Sequence, residues 1–161
     1  MTPSFSGSEI LQMAIEIEEK GKVFYERIFA AVKDKKTRSV FRYLADEEVK
    51  HKALFQKMLR AADSTTFSSP YDPTEMMLYF KSLVEQKVFP EAEGQHSAPE
   101  LLDDPRVAVR IALSLEKDAI LFFHEMQAVT AEGEREWVDR IIAEERDHIR
   151  RILALKAELG I

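Results

Sequence analysis

The sequence predicts an all-α fold in which two long helical hairpins, joined by a crossover segment, form a four-helix bundle. Apolar residues recur at helical spacing in four long stretches, and no stretch alternates convincingly between apolar and polar residues as a strand would. Glycine and proline are few, at five and six of 161 residues, and five of the prolines fall at or beyond Pro70. A chain of this length buries roughly 70% of its unfolded surface, so we expect residues 1–161 to form one domain with a sizeable core.

The first hairpin is expected to be two helices on either side of a short polar turn. The first helix should run from about residue 7 to 33, because Ser6 to Glu9 is a capping-box pattern and apolar residues follow it at helical spacing. The turn is "KDKK", in which Asp34 is a candidate N-cap. The second helix should end near the segment "AADSTTFSSP".

The region from about 63 to 104 differs in composition from the long helical stretches, because it is rich in proline and turn-forming residues. It is expected to be the crossover. It is bounded by turn-like sequences, "SSPYDP" and "EAEGQHSAPE". Within it, "PTEMMLYFKSLVEQKVF" predicts one helix with Met77, Phe80, Val84 and Val88 on its apolar face.

The second hairpin is expected to begin at Asp104, which is an N-cap residue followed by Pro105 at the first helical position. This pair predicts a third long helix that ends at about Ala131. Gly133 interrupts the helical pattern, and a fourth helix should run from about residue 134 to 159.

Composition excludes several classes of function. The chain has no cysteine, which excludes disulfides, zinc-thiolate sites and iron–sulfur clusters, so any metal must be held by oxygen and nitrogen. A net charge of −6 argues against nucleic acid as a partner. No apolar run approaches about 18 residues and the N-terminal sequence lacks the pattern of a secretory signal, so we expect no membrane span and a cytoplasmic location.

Two Glu-x-x-His sequences, "EVKH" and "ERDH", lie in opposite halves of the chain, and each has another glutamate upstream in the preceding helix. The residues of this repeat are Glu18, Glu48 and His51 in the first half and Glu116, Glu145 and His148 in the second. The two glutamates are 30 residues apart in the first half and 29 in the second, so the spacing repeats as well as the residue types.

The spacing places the paired glutamates of each hairpin at the same depth. The midpoint of Glu18 and Glu48 falls beside the first turn, and the midpoint of Glu116 and Glu145 falls beside the second, so both pairs lie roughly 22 Å from their turns at 1.5 Å per residue. The histidines follow one turn later on the same helix faces. If the hairpins pack face to face, four carboxylates and two imidazoles meet in the middle of the bundle.

Such a cluster has a physical reason to bind metal. Four buried glutamates without partners would be very unfavourable, because desolvation would raise their pKa values until they became neutral. Two divalent cations would supply four positive charges against four negative ones. Carboxylate and imidazole ligands suit iron or manganese better than softer metals, and the ligand types do not decide between these two.

On these six residues, the sequence resembles the ferritin-like superfamily and is most similar to its rubrerythrin-related branch, over about residues 8 to 159. The resemblance implies that all six are metal ligands. It also implies that Glu48 and Glu145 bridge two iron ions, with manganese as the alternative metal, and that Glu18 and Glu116 are terminal ligands.

The chain departs from the rubrerythrin pattern in two ways. Rubrerythrins usually carry a cysteine-ligated rubredoxin domain that supplies electrons, and this chain has no cysteine, so any electron donor must be a separate molecule. They also place an additional glutamate one turn after the third-helix ligand, where this chain has Ala119 and Ile120. The six-ligand set is therefore more similar to the ferroxidase centre of a bacterioferritin.

Several neighbouring residues have two interpretations. Tyr25, seven residues after Glu18, is a candidate catalytic residue that donates a hydrogen bond to a ligand carboxylate, or a core residue. Glu47 and Glu144 adjoin the ligands and are candidate partners of the histidines, but adjacent residues point about 100° apart on a helix, so surface exposure is the favoured interpretation. His124 and His96 are not expected to be ligands.

The leading functional hypothesis is an oxidoreductase that oxidises Fe(II) with dioxygen or reduces hydrogen peroxide. The alternative is an iron-binding or storage component without turnover, and oxygenation of an organic substrate would need a pocket beside the metals. We expect a homodimer or small homo-oligomer. Met76 and Met77 are interpreted as packing residues of the crossover helix or as part of a dimer interface.

Overall fold

The computed structural model describes residues 7–61, 72–85, 103–130 and 132–161, and these ranges are almost entirely helical. The described residues form five α-helices: α1 (Gly7–Ala31), α2 (Lys35–Ala61), α3 (Pro73–Glu85), α4 (Pro105–Val129) and α5 (Arg135–Leu159). A short 3₁₀ turn, Glu132–Glu134, precedes α5. The described residues contain no β-strand, and the all-α prediction is confirmed.

Local sequence signals set several helix ends. Asp34 caps α2, because its Oδ2 accepts hydrogen bonds from the backbone N–H of Thr37 at 2.7 Å and from the Thr37 hydroxyl at 2.8 Å. Asp104 has extended backbone and accepts from the N–H of Arg106 at 2.9 Å, while Pro105 begins α4. The predicted capping box at Ser6 lies outside the described residues.

The helices pack as two antiparallel hairpins, α1 with α2 and α4 with α5. The hairpins contact each other through α2 with α5 and through α1 with α4. The crossover helix α3 packs against α4 and α1, where Met76 and Phe80 are buried and Met77 is half-buried. Packing therefore accounts for Met76, whereas the predicted positions Val84 and Val88 lie outside the side chains that the structure describes.

The apolar core is divided into two clusters, and the division recurs in all four bundle helices. The first-turn cluster lies beside the α1–α2 turn and includes Phe24, Ile28, Phe41, Leu44, Ala112, Leu115, Ile152 and Leu155. The second-turn cluster lies beside the α4–α5 turn and includes Ile10, Ala14, Phe55, Phe80, Phe122, Met126, Val138 and Ile142. Along each bundle helix, the predicted ligands fall between the two clusters.

None of the helices that the structure describes combines the length and the apolar character that crossing a bilayer requires.

Candidate metal centre

All six predicted ligands lie in one buried layer between the apolar clusters. α1 and α4 each contribute one glutamate, and α2 and α5 each contribute a glutamate and a histidine. None of the six side chains is more than about one-twentieth exposed: Glu18, Glu48, His51, Glu116, Glu145 and His148. The six side chains therefore lie at one depth in the bundle, as their spacing in the sequence predicts.

The layer contains two overlapping groups of four possible ligands. The first group is Glu18, Glu48, His51 and Glu145, and the second is Glu48, Glu116, Glu145 and His148. Within each group, one ligand atom per residue lies within 4.8 Å of the others. Because only Glu48 and Glu145 belong to both groups, the geometry fits two adjacent cations that share these two carboxylates.

The two imidazoles present the same ring atom to the carboxylates. His51 Nδ1 lies 2.8 Å from Glu145 Oε1, and His148 Nδ1 lies 3.0 Å from Glu145 Oε2. The two rings are stacked with their centroids 5.4 Å apart. Glu145 is thus held between two imidazoles, one from its own helix and one from α2.

Seven buried polar atoms among the described residues have no hydrogen-bond partner, although native proteins rarely leave such atoms unpaired. They are both carboxylate oxygens of Glu18, both of Glu145, Nδ1 of His51 and both ring nitrogens of His148. The short distances from Nδ1 to Glu145 are compatible with charge attraction, but their angles are not those of hydrogen bonds. Metal coordination would satisfy most of these lone pairs, so the donor set fits two divalent cations.

The pKa values of three of the glutamates also indicate that the layer lacks positive charge. Burial raises the pKa of Glu18 and of Glu48 well above the usual range, and nearby glutamates add to the effect. Burial and the charge of Glu145 raise the pKa of Glu116 to about 8. These three carboxyls therefore hold protons near neutral pH unless another positive charge replaces them.

The histidines and Glu145 form the charged part of the layer. Burial alone would lower the pKa of each histidine, but the neighbouring carboxylates raise the pKa of His51 to about 9 and that of His148 to about 11. Burial would raise the pKa of Glu145, but the two imidazoles hold it far below its usual range. Without metal, the layer thus holds its positive charge as imidazolium ions and as protons on the carboxyl groups, at the positions where cations would bind.

Tyr25 makes both of the contacts that its sequence interpretations describe, a hydrogen bond to a candidate ligand and packing in the core. Its hydroxyl donates a hydrogen bond of 2.5 Å to Oε1 of Glu116 on the facing hairpin, and its ring packs against Phe24 and Phe41. Burial and the charge of Glu116 raise the pKa of Tyr25, so the hydroxyl stays protonated and acts as a donor. The equivalent residue of the second half, Phe123, has no hydroxyl to offer.

Tyr25→Phe should lower the affinity of the centre for a divalent metal by about tenfold, because the Glu116 carboxylate loses the hydrogen bond that orients it. Phenylalanine keeps the ring packing, so the helical content should not change. Titration with Mn(II), with Tyr79→Phe on the exposed face of α3 as the control, measures the effect. Equal affinities in both variants would assign Tyr25 to core packing alone.

The expectation that Glu144 is only a surface residue is wrong. Its side chain is one-third exposed, but Oε2 lies 2.8 Å from Nε2 of His51 on α2, and Oε1 accepts a hydrogen bond of 3.0 Å from Arg140. Burial would raise the pKa of Glu144, but Arg140 and His51 lower it, so the carboxylate is ionised and Nε2 must be the donor. A carboxylate that fixes one ring nitrogen aims the other nitrogen at the centre.

Glu47, the equivalent residue in the first half, is mostly buried and pairs with Lys50. It also offers a ligand atom within 4.8 Å of His51 and His148. The argument from adjacent positions failed for both glutamates because it considered only their own helix. The signal in the sequence was the repeat itself, since Glu47 and Glu144 precede the shared glutamates in both halves.

Glu144→Gln should weaken metal binding by about tenfold or more, because an amide does not stabilise the imidazole orientation as a carboxylate does. The same substitution at Glu136, an exposed residue in the first turn of α5, should have no effect. Competition with a chelator of known affinity measures both variants. If Glu144→Gln binds as the wild type does, the contact with His51 is incidental.

Two further positions complete the surroundings of the layer. Tyr43 was not identified from the sequence. Its ring stands edge-on to His148 with centroids 6.2 Å apart, and it lies under the guanidinium of Arg151. His124 is exposed and contacts Gln127 and Arg146 outside the layer, as expected. His96 lies outside the described residues.

Known proteins share this architecture. A family model described as Rubrerythrin matches residues 9–156. A ferritin-like diiron-carboxylate protein from Thermotoga maritima has a similar structure, with a TM-score of 0.68 and 27% sequence identity over 96% of this chain and 97% of that one. No curated protein matches the sequence significantly.

Proposed function

The chain belongs to the rubrerythrin family, and on that premise we propose that its buried layer binds two iron ions and supports an oxidoreductase reaction. Glu18, His51, Glu116 and His148 would be terminal ligands, with Glu48 and Glu145 shared between the ions. Manganese remains the alternative metal, because carboxylate and imidazole ligands suit both.

The sharing of Glu48 and Glu145 by two ligand groups carries this proposal. A single site would need only one group, and a purely structural polar layer would pair its lone pairs with hydrogen bonds. Here the lone pairs of Glu145 and the Nδ1 atoms converge without such pairing.

Two bound Fe(II) ions would supply one electron each and become Fe(III), which together with two protons would reduce hydrogen peroxide to two water molecules or dioxygen to hydrogen peroxide. The contribution of the protein would be to hold the metal-binding side chains in fixed orientations. Tyr25 fixes the orientation of Glu116, and Glu144 fixes that of His51. The apolar clusters above and below the layer limit the access of water.

Several parts of the proposal concern partners. We propose that repeated turnover uses a separate electron donor, because residues 1–161 contain no cysteine to hold an iron–sulfur or rubredoxin-type centre. We propose a homodimer or small homo-oligomer and a cytoplasmic location.

The proposal is tested by anaerobic loading of chelator-treated protein with Fe(II), elemental analysis, and absorbance after addition of dioxygen or peroxide in separate experiments. We expect about two irons per chain and the ultraviolet band of oxygen-bridged ferric iron. Absence of metal uptake by a fully helical protein would overturn the proposal. Uptake without reaction toward either oxidant would favour iron binding or storage.

A further inference from the structure

Gly21 lies inside α1, less than one turn beyond Glu18, in a part of the helix that does not need glycine for its conformation. Among the described residues, only Gly160 at the end of α5 has a positive φ, so Gly21 has ordinary helical backbone. Glycine within a helix is unfavourable relative to alanine. A reason for glycine at this position must therefore come from its surroundings.

The surroundings are the side chain of Glu48. A Cβ added to Gly21 would lie 3.0 Å from Oε2, 3.2 Å from Cδ and 3.5 Å from Cγ of Glu48, closer than ordinary van der Waals contact for the first two atoms. The Glu48 carboxylate thus rests against the bare backbone of α1. A methyl group would push it toward the other ligands.

The two shared carboxylates are therefore held differently. Glu145 lies 2.8 Å from one imidazole nitrogen and 3.0 Å from the other. Glu48 lies farther from the imidazoles: its Oε1 is 3.8 Å from Nδ1 of His148, and its approach to His51 is within 4.8 Å. Two close charged neighbours hold Glu145 in position, whereas the Glu48 carboxylate occupies the space that the absence of a side chain at Gly21 leaves beside α1.

The repeat shows that this space exists in one half only. Gly21 stands three residues after Glu18, and the residue three after Glu116 is Ala119. The backbone of α4 therefore carries a methyl group at the equivalent position. The asymmetry follows from one side chain and not from a difference in fold.

We propose that Gly21 is a positioning residue that allows the Glu48 carboxylate to move between α1 and the metal ions as the ions enter and leave, while Glu145 stays fixed. This inference rests on the proposed function in one respect, since it requires the layer to bind metal. It adds that one of the two shared carboxylates is the movable one.

Gly21→Ala tests this inference with Co(II), whose visible absorbance reports binding without any oxidant. The variant should still bind about two cobalt ions per chain. Its rates of uptake and of release to a chelator should fall by about tenfold, which corresponds to a barrier higher by about 1.4 kcal/mol. Alanine favours the helix, so the variant should fold at least as well as the wild type.

Two matched variants serve as controls. Gly133→Ala adds the same methyl group at an exposed glycine with nothing within 4 Å, and Ala119→Gly removes the methyl group at the equivalent position of α4. Both should exchange cobalt at nearly the wild-type rate.

Wild-type rates in Gly21→Ala, or an equal change in Ala119→Gly, would overturn the role of Gly21 while leaving the metal centre in place. Failure of the wild-type protein to bind cobalt or iron would overturn the proposed function and this inference together.

Discussion

Glu145→Ala should bind almost no metal, whereas Glu116→Ala should still bind about one ion per chain. Glu145 belongs to both ligand groups, so its loss removes a ligand from each metal position. Glu116 belongs to one group only. The contrast between the two variants distinguishes a pair of ions with shared carboxylates from two independent sites.

Elemental analysis after loading with Fe(II) or Mn(II) measures this contrast, and Glu16→Ala is the control because Glu16 is exposed on α1 and pairs with Lys20. Glu145→Ala also leaves two imidazoles without their carboxylate, so helical content must be checked in the same sample. Equal metal content in the Glu145 and Glu116 variants would contradict the shared role of Glu145.

Protein without metal should become less stable as the pH rises from about 6 to 9, and metal should reverse this trend. The pKa of His51 is about 9 and that of His148 about 11, so their stabilising effect is complete below about 6.5 and is lost as the pH rises toward these values. The pKa of Glu116 is about 8, and burial forces this carboxyl to keep a proton that the unfolded chain would release. Glu18 and Glu48 act in the same direction.

Glu145 does not oppose the trend in this range. Its pKa is depressed, so the stabilisation that it contributes is already complete above the ordinary pKa of a glutamate. Each proton held by the folded state and not by the unfolded state changes the stability by about 1.4 kcal/mol per pH unit. Several such protons should lower Tm by about 10 °C or more over this range.

Thermal unfolding followed by circular dichroism, with chelator or with saturating Mn(II), measures the trend. Metal must displace the protons, so its affinity should rise with pH and its binding near pH 7 should acidify a weakly buffered solution. A Tm of the chelated protein that is constant or rises between pH 6 and 9 would contradict the charges assigned to the layer.

The long helices could be predicted from sequence to within a few residues because the signals that mark where they begin and end are local. Asp34 and Asp104 cap the helices that follow them, and both are recognisable from their immediate neighbours. The six candidate ligands could be found because their spacing repeats, and depth along a hairpin follows from counting residues.

The remaining features depend on how facing helices are rotated, which spacing along one helix does not determine. Glu144 contacts an imidazole on α2, and Tyr43 contacts one on α5. The fit of Glu48 against Gly21 likewise joins two helices. In α3 the predicted apolar face included Met77, but Met76 is the buried methionine, because the rotation of a short helix is set by its neighbours.

The division of the core into first-turn and second-turn clusters bears on how the molecule opens. Each bundle helix crosses a layer of ionisable groups midway, so neither apolar cluster directly supports the other. Amide hydrogen exchange should therefore reveal two cooperative units in the chelated protein, each able to open while the other stays closed. Ions bound to all four helices would couple the opening of these two units. The metal would then stabilise the fold in addition to any part that it takes in a reaction.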